Sequence, residues 1–235
     1  MGKIRKTTGF VARVCLLIGW LAVGTAHATT LYGPTQYLSF SDSPFSIGSS
    51  KASYFYLEDF EDGLLNTPGV SVNKGIVGGP SYNTDSVDYG QGGHSYYSNG
   101  SLSLDFIFDA KVLGFLPNQA GIVWTDVGYG GGYYGTVTFS AYGADNSSLG
   151  TISAYLGDGV SIGTTGEDRF FGVFNQDGVS KITISMTNSD WEVDHLQYGS
   201  AVPSPVPEPA AIWLFGSGLL WFIGIRKKIR TRRNK

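Results

Sequence analysis

Cysteine and histidine are scarce in this chain of 235 residues. The single cysteine, Cys15, lies near the N-terminus, and beyond residue 28 the only histidines are His94 and His195. Disulfide bonds, thiol catalysis and zinc sites built from Cys and His therefore lack the residues that they need. A Ser/His/Asp triad would have to use one of these two histidines, and neither lies beside a Gly-x-Ser-x-Gly pattern. A domain without disulfides must be stabilised by its core, by a bound metal, or by both.

Basic residues are also rare through the middle of the chain. All 19 acidic residues lie between Thr29 and Pro209, where the basic residues are Lys51, Lys74, Lys111, Arg169 and Lys181. The net charge of this segment is therefore 5 − 19 = −14. Such an acidic segment repels nucleic acid and anionic lipid surfaces, which excludes both as partners. Its carboxylates suit either solubility or cation binding.

Long apolar runs are absent except for one run near each end. At the N-terminus, four basic residues precede Val14–Val23, which is too short to cross a bilayer and has the length of a signal-peptide core. Ala26-His27-Ala28 fits the cleavage pattern of signal peptidase, so we predict a cut after Ala28 that leaves Thr29 first. The alternative is a permanent N-terminal anchor.

The second apolar run follows a proline-rich linker, Ala201–Pro209. No residue from Ala210 to Ile225 is charged, and at about 1.5 Å per residue this segment is about 24 Å long, against roughly 30 Å for the apolar core of a bilayer. Because Arg226 and Lys227 can snorkel and the bilayer can thin, we predict a transmembrane helix over 210–225. The basic segment 226–235 then stays in the cytoplasm, and the preceding domain lies on the other side of the membrane.

The triplet Pro207-Glu208-Pro209, the apolar segment and the basic end follow one another in this order. This arrangement resembles the PEP-CTERM sorting signal of Gram-negative bacteria, although its basic end is longer than is usual. The resemblance implies recognition by an exosortase, a membrane-embedded cysteine protease. It also implies an inner-membrane-anchored precursor with a periplasmic ectodomain, which is then passed to the cell surface or the extracellular space.

Between the two ends, residues 29–200 are expected to form one β-rich ectodomain. Apolar and polar residues alternate in Ser101–Asp109, Thr136–Tyr142 and Lys181–Thr187, which indicates half-buried strands. The further strand candidates are Tyr54–Leu57, Gly121–Thr125, Leu149–Tyr155, Phe170–Phe174 and Glu192–Tyr198. Turn signals such as Asn99-Gly100 and Asp177-Gly178 separate the strands. The pattern favours an all-β fold, a jelly-roll-like antiparallel β-sandwich, with an irregular barrel as the alternative.

Four segments of this region also resemble the lectin-like β-sandwich ectodomains of PEP-CTERM proteins, and together they span most of the domain. The resemblance supports the fold more than any activity. The segments are Leu57–Gly63, Ala120–Asp126, Asp168–Val173 and Trp191–Gly199.

The acidic residues suggest a structural calcium site. Glu61 and Asp62 lie near the start of the domain and Asp194 near its end, and the first and last strands of jelly rolls are commonly neighbours. Since Ca²⁺ takes six to eight oxygen ligands, we predict that these three carboxylates hold a Ca²⁺ ion, the only cofactor that the sequence suggests. Their spacing is not that of an EF-hand loop, and the alternative is that they lie on solvated acidic loops.

Tyrosines in glycine-rich stretches suggest carbohydrate binding. Tyr96, Tyr97, Tyr133 and Tyr134 are the predicted ligand-binding residues, because an exposed aromatic ring on a loop can pack against the C–H groups of a sugar. The alternative is that these rings fill turns or cover the ends of strands.

The sequence thus predicts a signal peptide (1–28), a β-sandwich ectodomain (29–200), a linker (201–209), a transmembrane helix (210–225) and a basic tail (226–235). It predicts an exported, non-enzymatic surface or matrix protein whose partners are signal peptidase, exosortase and extracellular polysaccharide, and which reaches the membrane through its C-terminal helix. One alternative is a secreted glycoside-active enzyme with two carboxylates facing each other across an open cleft. The other is a purely structural matrix protein.

Overall fold

The structure is a computed structural model that describes residues 27–49, 51–80, 84–127, 134–157, 166–188 and 190–201. The predicted signal-peptide core Val14–Val23, the Pro207-Glu208-Pro209 triplet, the predicted helix 210–225 and the basic tail lie outside the described residues. Ala28 is described, whereas Ala26 of the predicted cleavage site is not.

Strands dominate the described part of the chain, and its two α-helices have a single turn each. The helices are α1 (Ser46–Ser49) and α2 (Ala110–Leu113). The strands are β1 (Thr30–Gln36), β2 (Phe55–Glu58), β3 (Val70–Val72), β4 (Ile76–Gly78), β5 (Ser95–Tyr97), β6 (Ser103–Phe108), β7 (Gln119–Val127), β8 (Gly135–Tyr142), β9 (Ser148–Leu156), β10 (Arg169–Phe174), β11 (Lys181–Met186) and β12 (Trp191–Gly199).

The strands form two antiparallel sheets. The larger has the order β1-β10-β7-β12-β5-β4, with β2 also paired to β12, and the smaller has the order β3-β6-β11-β8-β9. The last eight strands pair in nested fashion, β5 with β12, β6 with β11, β7 with β10 and β8 with β9. Nested pairs that alternate between two sheets define a jelly roll. The predicted all-β, jelly-roll-like sandwich is confirmed.

The main core lies between the two sheets and is built by period-2 alternation. In β8, Val137, Phe139 and Ala141 are fully buried while the polar residues between them are only partly covered. In β11, Ile182 and Ile184 are inward and fully buried. Alternation of this kind places every second side chain of a strand in the core, so both faces of the smaller sheet follow from the sequence pattern.

A second, smaller cluster lies on the outer side of the larger sheet. It contains Tyr37, Phe45, Val87, Val123 and Phe170, all at most 5% exposed. Tyr37 and Phe45 come from the N-terminal strap, residues 37–49, and Val87 comes from the covering loop, residues 84–93. These two segments therefore cover the larger sheet.

Most predicted strands are present, and the differences have physical causes. Within the predicted strand Ser101–Asp109, Leu102 is 56% exposed because β6 begins only at Ser103. Strands β3, β4 and β5 contain three residues each, which is too short for alternation to be visible in a sequence. The last described strand, β12, pairs with β2, whereas the first, β1, pairs with β10, so the expected contact of the first and last strands is made by β2 and not by β1.

Candidate functional site

The outer face of the smaller sheet carries mainly hydroxyl and tyrosine side chains. This surface, the hydroxyl face, is formed by the side chains that alternate with the core residues of β6, β11, β8 and β9. They are half-buried or exposed, and they are Ser103, Asp105, Ile107, Lys181, Thr183, Ser185, Thr136, Thr138, Ser140, Tyr142, Thr151, Ser153 and Tyr155. The same alternation that builds the core therefore builds this face.

Within the hydroxyl face, strands β8 and β9 form a ribbon with paired hydroxyl groups. Thr138 Oγ1 lies 2.9 Å from Ser153 Oγ, and Ser140 Oγ lies 3.0 Å from Thr151 Oγ1. Each pair consists of directly opposite residues of the antiparallel ladder. Each hydroxyl can both donate and accept, so a pair that shares one hydrogen keeps further donor and acceptor capacity toward solvent or a ligand.

Two tyrosines stand at one end of the ribbon. The rings of Tyr134 and Tyr155 are stacked, with centroids 6.1 Å apart and an angle of 7° between their planes. Tyr134 is 45% exposed and Tyr155 is 72% exposed. Two large exposed rings held parallel form a rigid amphipathic surface at low cost in conformational entropy, which is a common property of binding sites.

At the other end of the ribbon, Tyr142 lies beside an ion pair. Lys181 Nζ is 4.3 Å from the centroid of the Tyr142 ring and 4.0 Å from Asp105 Oδ1. Asp105 also accepts hydrogen bonds from Thr183 Oγ1 (2.6 Å) and Asn73 Nδ2 (3.0 Å). The one carboxylate and the one ammonium group of the hydroxyl face therefore offset each other.

The tyrosines that were predicted to bind a ligand and that the structure describes lie in different surroundings. Tyr96 is only 6% exposed and packs against Phe60 and Phe106, with its hydroxyl donating to Lys74 O (3.0 Å), so its predicted surface role is wrong. Tyr97 is half-buried and donates to Asp190 Oδ1 (2.6 Å). That hydrogen bond, followed by burial, raises the pKa of Tyr97 to about 12.

The other two predicted tyrosines follow each other in the chain. Tyr134 lies on the hydroxyl face, and Tyr133 lies outside the described residues. Tyr155 and Tyr142 were not predicted as surface residues, since both lie inside strands. Their position opposite to the core residues of β9 and β8 was the signal that could have found them.

The three carboxylates predicted to share a calcium ion have separate surroundings in the structure. Glu61 Oε1 accepts from the backbone of His94 (2.9 Å), Asp62 accepts from Leu64 N (2.9 Å) and Asn66 Nδ2 (2.6 Å), and Asp194 is fully buried. Among the described residues, no group of three or more His, Cys, Asp or Glu side chains is arranged to hold a metal ion. A structural calcium ion stays a prediction, which melting with and without EDTA tests.

A buried polar network covers the outer side of β12, and we call it the β12 network. A bulge between Asp194 and Gln197, with His195 at a φ of 45°, interrupts the strand. Asp194 accepts from Val87 N (2.8 Å) and from His195 N (2.6 Å). A left-handed φ is uncommon for a residue other than glycine and stores strain, so the surrounding hydrogen bonds must hold it in place.

His195 connects the N-terminal strap to the covering loop. Its Nδ1 lies 2.8 Å from the Tyr37 hydroxyl, and its Nε2 lies 2.9 Å from Asp88 Oδ2. Gln197 Nε2 donates to the Tyr37 hydroxyl (3.0 Å), and Ser43 Oγ donates to Gln197 Oε1. Because His195 is only 2% exposed, these contacts indicate a structural role.

Burial and charge set the pKa values of this region. Burial lowers the pKa of His195, but the hydrogen bond to Asp88 and the charges of Asp194 and Asp88 raise it by more, so the pKa is raised overall. The His195 hydrogen bond lowers the pKa of Asp88. Burial raises the pKa of Asp194 to about 8.

Glu192 is a second buried carboxyl group on the same strand. Its Oε2 accepts from Asp85 N (2.7 Å) and Ser95 Oγ (2.9 Å), and its ladder partner is Asp126. Burial, with a contribution from the charge of Asp126, raises the pKa of Glu192 to about 8. Glu192 and Asp126 are 6% and 2% exposed, so this carboxyl pair does not line an open cleft.

Comparison with known proteins identifies the C-terminal segment. Residues 205–228 match the PEP-CTERM protein-sorting motif, so the chain carries this sorting motif, as predicted. The motif supports an exported precursor that is anchored in a membrane. Within the described residues no helix is long and apolar enough to cross a membrane, and the predicted helix 210–225 is not among them.

Two solved structures are similar to part of this chain. They are the CBM22-1 and CBM22-2 xylan-binding domains of Xyn10C from Paenibacillus barcinonensis. The first has 12% sequence identity and a TM-score of 0.37, with 66% of this chain and 99% of that chain covered. The second has 10% identity and a TM-score of 0.35, with 62% and 99% covered. No curated protein matches the chain at a significant level.

Proposed function

We propose that this chain is an exported, non-enzymatic protein of the cell surface or extracellular matrix, and that its ectodomain binds extracellular polysaccharide through the hydroxyl face. The observation that carries the proposal is the stacked pair Tyr134 and Tyr155, exposed beside two rows of hydroxyl groups. Aromatic faces pack against the C–H groups of sugar rings, while hydroxyl groups exchange hydrogen bonds with sugar hydroxyls.

Sorting follows two processing steps in this proposal. Signal peptidase cleaves after Ala28, and an exosortase of a Gram-negative host then recognises Pro207-Glu208-Pro209 in the inner membrane. The first step is compatible with the fold, because β1 begins at Thr30 and Thr29 Oγ1 accepts a hydrogen bond from Asn175 Nδ2 (2.8 Å). Cleavage after Ala28 therefore leaves every residue of β1 in the mature protein.

The enzymatic alternative receives less support from the geometry. Glycoside hydrolysis needs two carboxyl groups on either side of the scissile bond, within reach of the substrate. Glu192 and Asp126 are ladder partners with suitable chemistry, but both are buried, and Asp85 of the covering loop donates its N–H to Glu192. On the hydroxyl face, Asp105 is held by Thr183, Asn73 and Lys181.

Binding of the full chain, purified in detergent, to a glycan array and to insoluble polysaccharides tests the proposed function. Tyr155→Ala and Tyr134→Ala are expected to weaken binding about tenfold each, since a stacked aromatic contact contributes about 1 kcal/mol or more. Tyr89→Ala is the matched control, because Tyr89 is 69% exposed and lies on the covering loop of the other sheet. Absence of binding to any glycan, or equal loss in the control, would contradict the proposal.

A further inference from the structure

We infer that the hydroxyl face selects uncharged polysaccharide chains that lie in extended form along the β8–β9 ribbon. This inference rests on the proposed function and adds the class of ligand and its direction on the protein. It follows from the spacing of the side chains along the ribbon and from the distribution of charge around them.

The ribbon has a regular repeat. Its outward ladder positions are Thr136 opposite Tyr155, Thr138 opposite Ser153, and Ser140 opposite Thr151, and each pair lies two residues from the next. At about 3.4 Å per residue, the pairs recur every ~7 Å, and the ribbon from Thr136 to Tyr142 is ~20 Å long. A linear ligand that follows the strands therefore meets a similar set of hydroxyl groups at each step.

Aromatic rings occur at both ends of this repeat. Tyr134 and Tyr155 stand at the first end, and Tyr142 stands at the second, with Lys181 Nζ 4.3 Å from its ring centroid. β9 is the last strand of its sheet in the described structure, so the ribbon lies at a sheet edge. An elongated chain can pass over an edge ribbon in either direction, whereas a compact or highly branched ligand would meet only one end of it.

The charge distribution excludes polyanions from this face. Along the described part of 134–157, Asp145 in the β8–β9 turn is the only charged residue. Beside the ribbon, Lys181 is paired with Asp105, and the segment from Thr29 to Pro209 has a net charge of −14. A uronate or sulfate polymer would be repelled by this negative field and would find no unpaired cation on the face.

The length and charge of the ligand are the variables of the test. The full chain in detergent is titrated with neutral β-linked gluco-oligosaccharides and xylo-oligosaccharides of two to eight units, and with oligogalacturonates of the same lengths, at low and high salt. We expect affinity for at least one neutral series to rise with length until the ribbon is spanned. Oligogalacturonates are expected to bind at least tenfold more weakly at low salt, with the difference narrowing at high salt.

A variant in the middle of the ribbon tests the role of the paired hydroxyl groups separately from the role of the stacked tyrosines. Thr138→Val with Ser140→Ala removes one hydroxyl from each pair and is expected to weaken binding of long neutral oligomers about tenfold, with little effect on disaccharides. Ser39→Ala is the matched control, because Ser39 also shares a hydroxyl–hydroxyl contact (2.7 Å, to Ser41) but lies on the N-terminal strap. Thermal melts of both variants test whether they fold.

The outcomes distinguish two failures. If none of the three oligosaccharide series binds, the proposed function itself fails. If oligogalacturonates bind as tightly as neutral oligomers, or if affinity for neutral oligomers stops rising at the disaccharide, polysaccharide binding stands but the inferred ligand class or its direction is wrong. Equal loss of affinity in the Ser39→Ala control would also overturn the inferred role of the ribbon.

Discussion

Glu58 lies at the end of β2, and its carboxylate accepts hydrogen bonds from the backbone of Phe60 (3.2 Å), Asn66 (3.0 Å) and Thr67 (3.0 Å). It is 4% exposed, so these N–H groups have little access to water if the side chain is removed. We expect Glu58→Ala to lower the free energy of unfolding by about 3 kcal/mol, measured by urea denaturation.

The matched control for Glu58 is Asp109, whose exposed carboxylate accepts from Lys111 N (2.8 Å) at the start of α2. Loss of such an N-cap costs about 1 kcal/mol. A Glu58→Ala variant that is no less stable than Asp109→Ala would show that the three hydrogen bonds do not stabilise the loop after β2.

Gly121 in β7 has no room for a side chain. A Cβ atom there would lie 2.4 Å from Cζ of Phe170 and 2.7 Å from the carbonyl oxygen of Phe171. Gly121→Ala should therefore force the neighbouring strand β10 to move and lower the free energy of unfolding by about 2–3 kcal/mol. Gly48→Ala in α1 is the control: a Cβ atom at Gly48 meets nothing within 4 Å, so the melting temperature should stay the same or rise slightly.

Single residues also show where sequence reasoning fails. Tyr96 and Tyr134 have the same side chain and similar glycine-rich surroundings, yet one is buried and the other is exposed. The difference arises from strand pairing, because β5 places Tyr96 opposite Val193 of β12 in the core. Such pairing joins residues almost a hundred positions apart, and no local pattern reveals it.

At the scale of elements, alternation identified β6, β8 and β11, whereas the seven-residue strand β1 and the three-residue strands β3, β4 and β5 were not predicted. Strands β8 and β11 agree with their predicted ranges to within one residue at each end, because each alternates over six or more residues. By contrast, β12 is buried along its whole length, since both of its faces are covered. Its polar residues face the strap and the covering loop, so their burial could not be predicted from the strand alone.

The β12 network predicts how stability depends on pH. The folded-state pKa values of Glu192 and Asp194 are raised to about 8, and that of His195 is raised too. A group with a raised pKa stabilises the fold fully below its unfolded pKa, and this contribution is lost as pH rises through the folded pKa. Asp88 has a lowered pKa and acts in the opposite direction, since its contribution is lost on acidification.

We therefore expect the free energy of unfolding to fall between about pH 5 and pH 9, by an amount on the order of a few kcal/mol. Urea denaturation at a series of pH values measures this change. Glu192→Gln should flatten the profile, because the amide does not ionise and can still accept from Asp85 N. Parallel profiles for the wild-type protein and this variant would contradict the assignment to Glu192.

At the scale of the whole molecule, the sequence predicts the sorting motif better than it predicts which strands lie side by side. The sorting motif was identifiable because its three parts are consecutive in the chain, and the match to residues 205–228 agrees with that reading. The hydroxyl face was not identifiable, because it assembles side chains from β6, β11, β8 and β9 that only the nested pairing of the jelly roll brings side by side.

The last described residue, Ala201, is held by a side chain of the ectodomain. Asn118 binds both backbone groups of Ala201: its Oδ1 accepts from Ala201 N (2.8 Å) and its Nδ2 donates to Ala201 O (2.8 Å). One residue earlier, Ser200 N donates to Tyr54 O (2.9 Å). The segment 202–209 lies outside the described residues and is predicted from its sequence to be a linker, so we expect a processing cut beyond Ala201 to leave the fold unchanged.

Truncation series test this end point. Chains of residues 29–209 and 29–201 should melt at the same temperature, whereas residues 29–197 should melt far lower or fail to fold. The shortest chain lacks Tyr198, which is fully buried, lies 4.9 Å from the Phe108 ring and donates its hydroxyl to Pro68 O (2.6 Å). Loss of a buried aromatic side chain costs about 3–5 kcal/mol, a large share of the stability of a domain. A lower melting temperature for 29–201 than for 29–209 would mean that the linker belongs to the folded domain, and that processing of the tail changes the ectodomain it releases.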